Sequence, residues 1–100
     1  MQKKMNHKIP KKVKQYAARG LHLNQFVVCK NSIGVKRARQ LVNNKTVSDQ
    51  VVKKMFAYLS RARTYYTGNV KTCGTVSYLL WGGLPAYFWT KKIIHKNKKK

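Results

Sequence analysis

The residues able to do covalent or metal chemistry are few. Asp49 is the one side-chain acid, and beside it stand His7, His22, His95, Cys29 and Cys73. General acid–base work commonly uses a carboxylate or a histidine, and a hydrolytic carboxylate pair needs two acids. One acid excludes that pair. No C-x-x-C motif occurs, and the histidines have no metal-like spacing to one another or to the cysteines. A cysteine–histidine nucleophile has no local signature, and no phosphate-cradling glycine loop or dinucleotide fingerprint is present. The sequence therefore predicts no enzyme, no cofactor and no metal. Two isolated cysteines do not establish a bridge, and Cys29 and Cys73 read as a reduced, buried pair.

Positive charge is what the chain offers instead. Twenty-three Lys and Arg face the single acid, for a net charge of +22 over 100 residues. Side-chain ion pairs cannot balance such a chain, so its cations must meet water, counterions or an anionic partner. Self-repulsion at this charge works against the compact state, and a polyanion relieves it. A hydrophobic fraction of 43% argues against a wholly disordered chain. Twelve cations lie toward the ends, from Lys3 to Lys14 and from Lys91 to Lys100, where short lysine runs read as flexible arms. Eleven lie between Arg19 and Lys71, interleaved with apolar residues as on the solvated faces of folded elements. No apolar run approaches the roughly 20 residues that span a bilayer. No apolar segment follows the basic N-terminus, as a secretory signal would require.

The elements that would position these charges are helices. Pro10 suits a first turn, followed by Val13, Tyr16, Ala17, Gly20, Leu21 and Asn24 on one face. Gly20 costs that helix about 1 kcal/mol against Ala, unless it allows close packing or ends the helix early. Phe26, Val27 and Val28 form a run too short to assign. A second helix fits GVKRARQLVNN, with Val35, Ala38, Leu41 and Val42 inward and Asn43-Asn44 as a stop. The third is the clearest. Ser48 is its N-cap, Val47 and Val52 take the positions of a hydrophobic staple, and Asp49 falls in the first turn where the helix dipole favours it. Val51, Val52, Met55, Phe56, Leu59 and Ala62 form its apolar stripe. Residues 64–74 read as a loop. A fourth helix fits Thr75 to Trp81, ends at Gly82-Gly83, and is followed by a fifth with Pro85 in its first turn. No strand pattern of useful length appears.

The stretch SYLLWGGLPAYFW holds both tryptophans. Two short helices meeting at a glycine corner need bulky side chains around them, so Trp81, Tyr87, Phe88 and Trp89 read as core. The competing reading is a base-stacking platform, but such platforms are usually interleaved with basic residues, and none stands between Lys71 and Lys91. The second and third helices have the outline of a helix-turn-helix, which would present Ser48, Gln50, Lys53 and Lys54 to DNA. Lys36, Arg37, Arg39 and Lys45 would then touch phosphates. Any two neighbouring helices of a small bundle share that outline, so the charge argues for DNA contact and not for sequence reading. The candidate nucleic-acid-binding residues are Lys36, Arg37, Arg39, Lys45, Lys53, Lys54, Arg61, Arg63, Lys91 and Lys92.

The blocks GVKRARQL, SDQVVKKMFAYLSR and YLLWGG, with Trp89 six residues after Gly83, carry a resemblance. Together they span about residues 13–94, and they resemble a small helical domain of tailed bacteriophages that accompanies prohead-protease and other head-morphogenesis genes. Departures are visible. Leu84 stands where that domain has an acid, Ala62 where it has a histidine, and Arg63 where an acid is common. The resemblance implies a helical fold, a packing role for the W-G-G corner, and a phage or viral setting.

The expectation is an all-α bundle of four to five short helices, with a basic arm at 1–9, a helical domain at 10–95 and a lysine tail at 96–100. Its expected partner is nucleic acid, double-stranded DNA before RNA, bound without sequence preference in a virion or the host cytoplasm, with no membrane. The second reading is a virion component bound to capsid or portal proteins through its helices, with its arms on the genome. The third is an RNA- or ribosome-associated protein.

Overall fold

The computed structural model describes residues 6–26, 32–63 and 72–98. Those residues form five helices and two three-residue strands, so the all-α expectation holds. Strand β1 is Asn6–Lys8, and helices α1 and α2 are Lys11–Asn24 and Ser32–Asn43. Strand β2 is Thr46–Ser48, followed by α3 at Asp49–Ala62, α4 at Cys73–Leu80 and α5 at Gly83–Lys98.

Helix α1 follows Pro10, an extended N-cap rather than a first-turn residue, whose carbonyl accepts from the Lys14 N–H. Its buried face is Val13, Ala17 and Gly20, which recur at helical spacing. Helix α3 starts as the sequence predicts. The Ser48 hydroxyl accepts from the Val51 N–H at 3.3 Å, and Val47 and Val52 are both buried. Val52, Met55, Leu59 and Ala62 turn inward. Thr72 caps α4 in the same manner, accepting from the Thr75 N–H.

Helix α4 is the centre of the domain. Thr75, Val76, Tyr78, Leu79 and Leu80 are all buried along its eight residues. It touches α1, α2, α3 and α5. Around it, α1 packs on α2 and α5, while α3 packs on α5. Helices α1 and α4 approach closely at Gly20. A Cβ on Gly20 would lie 2.6 Å from the Leu80 backbone nitrogen and 2.9 Å from the Leu79 carbonyl carbon. Of the alternatives open for Gly20 in the sequence, close packing is the one realised. The corner between α4 and α5 is made by Gly82 (φ 104°) and Gly83 (φ 68°), with the Gly82 N–H donating to the Leu79 carbonyl at 2.8 Å. These left-handed angles suit glycine.

Several expectations need correction. The arm at 1–9 is too long, because Asn6–Lys8 pairs antiparallel with Thr46–Ser48 in the register Asn6–Ser48, His7–Val47 and Lys8–Thr46. The Ile9 N–H donates to the Lys45 carbonyl, and the Ile9 side chain is buried. One apolar residue, with ladder partners some forty positions away, attaches this basic stretch to the domain. The lysines at 11, 12 and 14 belong to α1, and those at 91, 92 and 96 to α5, which runs on to Lys98. Helix α4 begins at Cys73 and not at Thr75. Cys73 is not a buried thiol. It is exposed at the first residue of α4 and is disulfide-bonded. Cys29, Val27, Val28 and most of the expected loop at 64–74 lie outside the described residues.

Candidate nucleic-acid interface

The helix-turn-helix outline is not realised. Helix α2 lies against α1 and α4, and α3 lies against α5, so the two do not form a packed pair. A strand stands between them where a tight turn would be needed. At the supposed reading end of α3, Gln50, Lys53 and Lys54 are exposed, while Ser48 and Asp49 are half-buried and engaged by β1. Ser48 pairs with Asn6 across β1, and Asp49 receives His7.

That contact occupies the one acid. His7 Nε2 is 3.0 Å from Asp49 Oδ1, and Lys53 Nζ is 3.4 Å from Oδ2. The carboxyl is held below its usual range, chiefly by the hydrogen bond with His7, with Lys53 adding to it against the opposing effect of burial.

A groove of about 580 Å³ opens between the first turn of α2, one face of α3, and α4 with Trp81. Arg37, Lys54 and Arg61 line it, together with Ser32–Gly34, Ala57, Tyr58 and Ser77. Lys54, Ala57, Tyr58 and Arg61 follow i, i+3, i+4, i+7 spacing, which places them on one face of α3 beside its buried stripe.

Arg37 is held on several sides. Its guanidinium carbon lies 5.2 Å from the centroid of the Trp81 ring, and its Nη1 donates to Gln40 Oε1. Its Nε is buried without a hydrogen-bond partner, and burial pushes its pKa down. Tyr58 stacks on Trp81 with ring centroids 4.4 Å apart, and its hydroxyl shares a hydrogen bond with Ser77. Trp81 is only 8% exposed and belongs to the core. A base could not stack on it without displacing these neighbours. Tyr87 is buried too, Trp89 is partly so, and Phe88 is 57% exposed on α5.

A second pair of cations flanks Tyr87. The Arg63 guanidinium carbon is 4.6 Å from that ring centroid and the Lys91 ammonium 5.7 Å. Arg63 also donates to the Tyr87 hydroxyl at 3.3 Å. Of the remaining expected site residues, Lys36, Arg39, Lys45 and Lys92 are exposed, and Lys53 is exposed beside Asp49. The structure thus gathers Arg37, Lys54 and Arg61 in one groove and Arg63 with Lys91 on one ring.

Sequence reasoning passed over Tyr58, Ser77 and Ser32–Gly34. The helical spacing of Lys54, Tyr58 and Arg61 was a readable signal. The approach of α2 to that face was not, because periodicity says nothing about which helices become neighbours. Among the described residues no group of three His, Cys, Asp or Glu could hold a metal ion, and no helix is long and apolar enough to cross a membrane. No family model matches the chain, and neither a curated protein nor a solved structure matches it.

Proposed function

We propose that this chain binds nucleic acid by neutralising backbone phosphates, double-stranded DNA before RNA, without reading sequence. The observation that carries the reading is the groove. Cations from α2 and α3 line one concave surface, in a chain whose single acid is already engaged by His7 and Lys53. Exposed Lys36, Arg39, Lys45 and Lys92 would add contacts around it. With the phage-like blocks of the sequence, this reading makes the chain a small basic viral protein, packaged with the genome or condensing it, in the virion or the host cytoplasm. It assigns no catalysis.

Salt titration tests the reading. Log K for duplex DNA should fall linearly with log salt, with a slope of about −0.9 per phosphate contacted. Lys54→Ala should weaken all duplexes alike and reduce that slope by about one. A preference of about a thousandfold or more for one duplex over an unrelated one, held at high salt, would refute non-specific binding.

A structural virion role, with capsid or portal proteins as partners, is the second reading. The exposed Leu84 and Phe88 on α5 favour it, since solvent-facing apolar residues on one helix suit a protein contact. Copurification with nuclease-treated particles would decide for it.

A further inference from the structure

The groove differs from a generic basic surface in three respects. It is concave, it contains a half-buried guanidinium, and it is bordered by the first turn of a twelve-residue helix. Arg37 Nε is buried with no partner among the groups around it. An unsatisfied buried donor on a charged group is costly, and an anion beside the guanidinium offsets that cost electrostatically. Ser32, Ile33 and Gly34 form the first turn of α2, where backbone N–H groups have no partner within the helix and the dipole favours negative charge. Lys54, on α3, adds an exposed ammonium. The chain's one side-chain carboxylate is on His7 and Lys53, so none is left to balance Arg37 and Lys54.

Three cations, Arg37, Lys54 and Arg61, line the groove beside a helix N-terminus and favour an anion of charge beyond −1. A phosphodiester within a strand carries −1. A phosphomonoester carries about −1.5 to −2 at neutral pH. The volume, about 580 Å³, lies in the range of small-molecule sites and leaves room for more than the phosphate itself. From this match of charge, shape and orphaned donor we infer that the groove binds the phosphomonoester of a nucleotide, with Arg37 and Lys54 as its ligands. The nucleotide is either free or the 5′-phosphorylated end of a strand. The strand-end form rests on the proposed nucleic-acid binding; the site for the phosphomonoester does not.

The test compares one short blunt duplex prepared with 5′-phosphate and with 5′-hydroxyl ends, at a salt concentration that suppresses most diffuse contacts. The phosphorylated form should bind about tenfold tighter or more, the range of a charge-assisted hydrogen bond. Lys54→Gln should bring the two forms close to parity. So should Arg37→Gln, and because Arg37 packs on Trp81 the exposed Lys54 variant keeps the test valid if the Arg37 variant misfolds. Arg39→Gln, outside the groove, should lower both affinities alike and leave their ratio intact.

The Trp81 indole N–H resonance reports occupancy directly, since Trp81 lines the groove. A shift on adding a nucleoside 5′-monophosphate, absent with the nucleoside, supports the site and identifies the free nucleotide as a ligand. A preference for phosphorylated ends without that shift supports the strand end. Equal binding of the two duplexes, with no shift, overturns the inference while leaving phosphate-backbone binding in place. A nucleotide-induced shift with no binding of either duplex would support the groove and overturn the proposed function.

Discussion

His7 and Asp49, forty-two residues apart in the chain, meet at 3.0 Å between imidazole Nε2 and carboxylate Oδ1. The contact joins β1 to the first turn of α3, and it engages the chain's one side-chain acid in a structural role. Its pH dependence follows from the lowered pKa of Asp49. A carboxyl whose folded pKa lies below its ordinary value of about 3.9 contributes stability that is fully present above about pH 5. That contribution is lost as the pH falls through the folded value. Asp49→Asn should therefore lower the melting temperature above about pH 5, and the gap to wild type should narrow below about pH 4. Thermal melts across that range check this. A gap independent of pH would show that the ionised form of Asp49 contributes nothing.

Gly20→Ala tests the approach of α1 to α4. Helix propensity alone predicts a gain of about 1 kcal/mol. The new methyl would instead meet backbone atoms of Leu79 and Leu80, which cannot rotate aside. The helices would have to separate, and overpacking of this kind typically costs about 1–3 kcal/mol. Denaturant midpoints should show net destabilisation. Increased stability would mean that the two helices do not approach this closely in solution.

Lys14 is expected to cap α2 from a distance. Its ammonium donates to the carbonyls of Leu41 at 3.0 Å and Val42 at 3.2 Å, and also to that of Asn44. These groups end a helix whose last turn contains no basic residue. Lys14→Met keeps the apolar stem and removes the donor, so it should cost about 0.3–2 kcal/mol. A matching loss of amide-exchange protection confined to the end of α2 would locate the effect there.

Trp81 supports Arg37 and Tyr58 at once. Trp81→Ala should cost about 3–5 kcal/mol, enough to unfold a domain of this size. Trp81→Phe retains most of the apolar contact and should stay folded at a fraction of that cost. Chemical denaturation of the two variants separates these outcomes. An Ala variant that stayed fully stable would contradict the core assignment and reopen the stacking reading.

The order of residues along the chain already defines the helices and much of what lies on their inner faces. Val13 and Ala17 on α1, the stripe from Val52 to Ala62 on α3, the Ser48 cap and the Gly82-Gly83 corner all follow from local rules: periodicity, a side chain satisfying a free N–H, and a backbone angle that suits glycine. Long-range packing accounts for what no local rule reaches. Asn6–Lys8 has no strand signature and is ordered by backbone bonds to Thr46–Ser48 and by the burial of Ile9. Gly20 stayed open in the sequence between a weak point, close packing and an early helix end, because the backbone it meets belongs to α4, sixty positions on. Arg37 and Lys54 share a groove although α2 and α3 do not pack as a pair; α4 and Trp81 stand between them as a common wall. Charge counts fix how much anion the chain can attract. Where the cations converge is set by which helices bury their apolar faces against one another.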